Sequence, residues 1–64
     1  MYIIRDSNGV EVATVAIDPV NSATVAGAVL TALAAGDGVT VEVSTTGAVW
    51  QVRKGADLYT VEPV

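Results

Sequence analysis

The chain has 64 residues, a net charge of −4 at pH 7 and neither cysteine nor histidine. A chain this short is predicted to form one domain, residues 1–64. It buries only about 60% of the surface that its unfolded chain exposes, so a large core is excluded. Because cysteine and histidine are absent, the chain has no disulfides, no thiolate metal sites and no histidine base. Its three cations are too few for a nucleic-acid footprint.

The first seventeen residues predict a β-hairpin. An Asn-Gly pair at positions 8 and 9 favours a two-residue type I′ turn, because both central residues of that turn need positive φ. In this register Ile4 faces Ala13 and Arg5 faces Val12. No secretory signal peptide is expected, since charged residues interrupt the apolar start.

Both faces of this hairpin are apolar when residues are sorted with period two. The first face carries Tyr2, Ile4, Ala13, Val15 and Ile17, with Asp6 beside Glu11 near the turn. The second face carries Met1, Ile3, Val10, Val12, Thr14 and Ala16, with Arg5. One helix covers only one face of a sheet, so the second face needs another sheet layer, strands that curl over it, or another chain.

An Asp-Pro pair at positions 18 and 19 ends the second strand, and one helix is predicted after it. Three side chains are candidates for its N-cap, namely Asp18, Asn21 and Ser22. The helix is expected to end at about Ala35, with Gly36 in the left-handed C′ position.

This helix contains no charged side chain. At 100° per residue, its core stripe is predicted to be Val25, Ala26, Val29, Leu30 and Leu33. The opposite face collects small residues, namely Thr24, Gly27, Ala28, Thr31 and Ala35. An ordinary surface helix carries lysine and glutamate on that face.

Three interpretations compete for the small-residue face. A membrane span needs about twenty apolar residues, and this segment is shorter and contains hydroxyl and amide side chains. The face is either a mildly polar solvent surface or a close-packing interface with small-xxx-small spacing at Ala23, Gly27 and Thr31. Gly27 favours the interface, since glycine in a helix interior costs about 1 kcal/mol relative to alanine.

The rest of the chain predicts a second hairpin with Thr46 and Gly47 in its turn, then a short strand over Leu58–Glu62 that Pro63 closes. One face of the hairpin carries Val39, Val41, Val43, Trp50 and Val52, and the other carries Thr40, Glu42, Ser44, Val49, Gln51 and Arg53. The predicted fold is α+β with the order β-β-α-β-β-β. Two hairpins and a C-terminal strand form an antiparallel or mixed sheet, with the helix packed on it.

The sequence offers only weak candidates for a metal site, a binding anchor or an ion pair. Asp6 and Glu11 at the first hairpin's tip are too few ligands for a calcium ion, and a solvated pair is the preferred interpretation. Trp50 is interpreted as a core residue in preference to a binding anchor. Glu42 is expected diagonal to Arg53, an exposed pair worth under about 1 kcal/mol. No catalytic residue, cofactor or metal is expected, and the chain is predicted not to be an enzyme.

The resulting hypothesis is that the chain is a structural or interaction protein that self-associates or docks into a larger assembly. Its expected location is the cytoplasm or a virion. The predicted interface comprises Thr24, Gly27, Ala28, Thr31, Ala35, Ile3, Val10 and Val12. Its partners are a second copy or another protein, with no nucleic acid, membrane or small-molecule substrate. A tiny acidic chain of this kind resembles small accessory proteins of bacteriophages, which implies a capsid decoration or minor capsid role. The alternative is a small acidic monomeric inhibitor or adaptor that binds a host protein through carboxylates such as Asp6, Glu11, Glu42, Asp57 and Glu62.

Overall fold

The computed structural model describes residues 1–64, and its elements follow the predicted order. They are β1 (Tyr2–Arg5), β2 (Glu11–Val15), α1 (Ser22–Ala32), β3 (Glu42–Thr46), β4 (Val49–Lys54) and β5 (Asp57–Pro63). All strands pair antiparallel in one sheet with the order β2-β1-β5-β4-β3. The α+β prediction is therefore confirmed, and of the two sheet types left open the antiparallel one is present.

The helix crosses one face of the sheet, because it connects the two edge strands, β2 and β3. Eleven helical residues span about 16 Å, whereas five strands span about 19 Å across the sheet. The helix contacts β2, β3 and β4 along this path. One short helix thus covers only part of the inner face.

The first hairpin has the predicted register at its open end, where Ile4 pairs with Ala13. The predicted two-residue turn is wrong. The amide of Gly9 donates to the carbonyl of Asp6 at 3.0 Å, and Gly9 alone has a positive φ, +78°. The loop therefore has three residues, 7–9, with glycine in the left-handed position. The Asp6 carboxylate stabilises it by accepting from the amides of Asn8 at 2.9 Å and Val10 at 3.0 Å.

The longer loop places a β-bulge in the hairpin, so that Arg5 faces Glu11 and not Val12. Val12 becomes the extra residue of β2, and it is half-buried against the core. Its predicted place on the second, outer face is therefore wrong. Asp6 likewise does not pair with Glu11, since its amide donates to the carbonyl of Val10 at 2.9 Å.

The helix begins at a capping box, in which Asn21 is the N-cap among the three candidates. Asn21 Oδ1 accepts from the amide of Thr24 at 3.0 Å, and Thr24 Oγ1 accepts from the amide of Asn21 at 2.9 Å. Each side chain therefore satisfies an amide that the helix itself leaves unpaired.

The helix ends earlier than predicted, at Ala32, and the left-handed residue is Ala34 with φ +53°. The amide of Ala34 donates to Thr31 at 3.1 Å, and that of Ala35 to Leu30 at 3.0 Å. This is the Schellman pattern of helix termination. The prediction of Gly36 in that position is wrong, because the pattern closes two residues before the glycine.

Ala34→Gly is expected to raise the free energy of unfolding by about 0.5–1 kcal/mol. An L-residue in the left-handed region is strained by about 1–2 kcal/mol, which exceeds the extra chain entropy that glycine adds to the unfolded state. Ala35→Gly is the matched control, because Ala35 lacks a positive φ, and we expect it to lower stability. Urea denaturation followed by circular dichroism measures the free energy of unfolding of both variants. Equal effects of the two substitutions would contradict the assignment of Ala34 to the strained left-handed position.

The second hairpin turns one residue later than predicted, at Gly47 and Ala48, because Thr46 pairs with Val49. The register moves by two residues, so the predicted faces are unchanged. Glu42 lies directly opposite Arg53 and not diagonal to it.

The core cluster consists of six buried side chains, namely Ile4, Ile17, Val25, Val29, Val52 and Val61. Trp50 packs against it, in agreement with its interpretation as a core residue. On the helix, Ala28, Ala32 and Leu33 also pack against the cluster, whereas Ala26 and Leu30 of the predicted stripe do not. The core-facing stripe is therefore rotated from the prediction.

The outer face of the sheet is not covered by any other element of the chain. An ion pair between Arg5 and Glu62 joins β1 to β5 on this face. The neighbouring strand positions alternate polar and half-buried apolar residues, with Gln51 and Thr60 beside Ile3 and Leu58. Within the chain this face is a mixed solvent surface, and it lacks the internal second layer that was one of the expectations.

Candidate functional site

An open groove separates the helix from the sheet edge, and we call it the α1–β2 groove. Its volume is about 460 Å³. The helix contributes Thr24, Gly27, Ala28, Thr31 and Ala32, and the strand side contributes Ala13, Val15, Ala16, Ile17 and Asp18. The predicted small-residue face of the helix therefore forms one wall, opposite a wall from the first hairpin.

The groove exists because the helix wall consists of small side chains and the strand wall includes two alanines. At Gly27 an added Cβ would have no heavy atom within 4 Å, so packing within the chain does not require glycine there. Ala13 and Ala16 are equally short on the strand side. The chain leaves this space open although its whole core contains only six buried residues.

Asp18 is the only charged residue that lines the groove. It is exposed and forms no ion pair, since the sole salt bridge joins Arg5 to Glu62. The other two cations, Arg53 and Lys54, belong to β4, which lies three strands or about 14 Å from β2. The groove therefore presents one negative charge that is not engaged in an ion pair.

The strand wall is an edge of the sheet, so one side of β2 has no hydrogen-bonding strand. β2 begins with the exposed Glu11 and has a bulge at Val12, two features that protect an edge, but residues 13–17 contain no charge and no proline. The opposite edge strand, β3, also begins with an exposed glutamate. Its Glu42 and Thr45 are exposed, and Thr45 Oγ1 donates to nearby carbonyls of Gly47 and Val49 at 3.2 Å.

The predicted interface residues do not form one surface. Thr24, Gly27, Ala28 and Thr31 lie together in the groove, although Ala28 also contacts the core cluster. The other four are elsewhere: Ala35 lies beyond the helix end, Ile3 on the outer face, Val10 at the hairpin tip with 59% exposure, and Val12 against the core.

Sequence reasoning missed the strand wall of the groove, namely Ala13, Val15, Ala16 and Asp18. The available signal was the uncharged run from Val12 to Ile17, which is hazardous on an edge strand and harmless in the middle of a sheet. Strand order decides between these cases, and hairpin patterns do not encode it.

Other kinds of site have less support from the structure. No group of three or more acidic side chains is placed to hold a metal ion. Glu11 accepts from Thr14 Oγ1 at 3.4 Å, and Asp6 binds loop amides, so the two carboxylates are engaged separately. The single helix is too short to cross a membrane. No protein-family model, curated protein or solved structure matches the chain.

Proposed function

We propose that the protein is a non-enzymatic interaction protein that docks into a larger protein assembly or self-associates through the α1–β2 groove. The observation that carries this proposal is a groove, lined by small and apolar side chains and a single carboxylate, that is open beside an unpaired sheet edge. Both features favour contact with another polypeptide, because an edge strand offers backbone hydrogen bonds and small walls admit apolar side chains.

The size and composition of the chain agree with a role in an assembly. Six buried residues form a thin core, and association with a partner stabilises such domains. A capsid decoration or minor capsid subunit of a bacteriophage is the form of assembly that we propose, with the cytoplasm or the virion as its location. No catalytic step is part of this function.

Thr31→Lys is expected to weaken self-association or assembly by about tenfold or more, because it places a desolvated charge on the groove wall. Ala23→Lys is the matched control. The small-xxx-small spacing groups Ala23 with Gly27 and Thr31, but in the structure Ala23 is an exposed helix residue outside the groove lining. Sedimentation equilibrium at micromolar concentrations, alone and with candidate assembly proteins, measures the effect. Equal effects of the two variants would count against the groove as the contact surface.

A small acidic inhibitor or adaptor of a host protein is the second candidate. The exposed carboxylates of Asp18, Asp37 and Asp57, none of them in an ion pair, favour it. This function predicts a monomer whose partner binding weakens steeply with salt. A complex that is insensitive to salt would exclude it.

A further inference from the structure

We propose that β2 accepts an additional strand from a different protein. The incoming segment is extended, pairs with the free edge of β2, carries large apolar side chains at alternate positions, and has a lysine or arginine at the end next to Asp18. This inference rests on the proposed function, since it specifies the partner of the α1–β2 groove.

The sheet edge determines the extended form of the segment. The free side of β2 presents backbone N–H and C=O groups along five residues, and only another strand satisfies such a row. A partner helix would satisfy its own backbone groups internally and leave those of β2 to water.

The volume of the groove determines the side chains of the segment. Alternate residues of an added strand point to the same face of the sheet, and on the inner face they meet the wall of α1. That wall bears Gly27 and Thr31, which leave about 460 Å³ open. Large apolar side chains fill this space, whereas alanine or serine would leave it largely empty.

A second copy of the chain fits the groove less well than a separate segment. If two β2 edges paired, the inner-face residues Val15 and Ile17 of each copy would stay beneath their own helix, where both already contact the core cluster or belong to it. The second copy would then offer its own small-residue wall and leave both grooves unfilled. Each copy also carries a charge of −4, which opposes their association.

The carboxylate of Asp18 determines which type of residue we expect at one end of the incoming segment. Asp18 lies at the end of the groove where the chain leaves β2, and it is exposed and forms no ion pair. At the other end of β2, Glu11 lies outside the groove lining and accepts a hydrogen bond from Thr14 Oγ1. A basic residue beside Asp18 therefore forms a new ion pair, and an acidic residue there is repelled.

The first experiment selects binders from a library of random peptides displayed on yeast, with the purified full chain as bait. We expect enrichment of peptides with large apolar residues at every second position and a lysine or arginine at one end. A synthetic copy of the most enriched peptide is then the probe for affinity measurements. Enrichment of acidic or helix-periodic peptides, or no enrichment over unselected peptides, would overturn the proposal.

Variants of the groove test where the probe peptide binds. Gly27→Leu fills the groove and is expected to weaken binding by about tenfold or more, while Ala23→Leu leaves it unchanged. Asp18→Asn is expected to weaken binding several-fold and to reduce its salt dependence. The urea midpoint of each free variant establishes that it is folded. Equal affinity of Gly27→Leu and the wild type would contradict binding in the groove.

Amide hydrogen exchange measured by NMR tests the strand pairing itself. The probe peptide is expected to slow exchange at alternate amides of residues 11–17 and to leave β3 unchanged. Binding without protection of β2 would overturn strand addition. If Thr31→Lys disrupts an assembly while no peptide binds, only this inference fails; if assembly is also insensitive to Thr31→Lys, the proposed function fails with it.

Discussion

Ile4→Ala is expected to lower the free energy of unfolding by about 3 kcal/mol. The side chain of Ile4 is 0% exposed, and β1 lies between β2 and β5, so no surface loop can collapse into the resulting cavity. A domain of this size has a total stability of about 3–5 kcal/mol, so the variant is close to its unfolding midpoint at room temperature. Its melting temperature is expected to fall by about 15 °C.

Ile3→Ala is the matched control, because Ile3 is the neighbouring residue of the same type on the outer face. Ile3 is half-buried and does not belong to the core cluster. Ile3→Ala is therefore expected to lower the free energy of unfolding by about 1 kcal/mol. Urea denaturation followed by Trp50 fluorescence and circular dichroism compares the two. Comparable losses would show that the outer face is as buried as the inner one, and hence that a second layer covers it.

Val29→Ala is expected to lower the free energy of unfolding by about 2 kcal/mol. This is twice the decrease expected for Leu30→Ala, although leucine is the larger side chain. Val29 is fully buried in the core cluster, whereas Leu30 is half-buried and does not pack against the cluster. The loss at Val29 comes from buried methyl groups and an internal cavity, partly offset by the better helix propensity of alanine. At Leu30 solvent occupies much of the vacated space.

This pair tests the rotation of the helix, because the predicted stripe includes both residues and size alone ranks Leu30 first. Thermal unfolding of the two variants under the same conditions measures the order. A larger loss for Leu30→Ala would place the helix in the orientation predicted from sequence and would contradict the observed rotation.

Several local features were predictable from the sequence because they depend on neighbouring residues. Asn21 was among the candidate caps because its short side chain reaches the amide of Thr24. The faces of the second hairpin were correct despite a shifted turn, because a register change of two residues preserves the alternation. In the first hairpin the bulge changes the register by one residue, and the prediction for Val12 was therefore wrong.

The helix end shows the limit of local rules. Glycine is the usual residue in the left-handed position after a helix, which favoured Gly36. The chain instead turns at Ala34, although alanine is strained there. The nearby Leu33 packs against the core cluster as the helix ends, so tertiary contact accompanies a termination that propensity alone did not predict.

The sequence by itself determined the number and order of the elements, the faces of the second hairpin and four of the five residues of the small-residue face that line the groove, because hydrophobic period and turn chemistry are local. Only the tertiary structure decided that β5 lies between β1 and β4 and that β2 is an edge. It also decided that the small-residue face of α1 meets β2 across a groove. These arrangements depend on pairings between residues far apart in the chain, which minimise the free energy of the whole sheet and leave no pattern in any one segment.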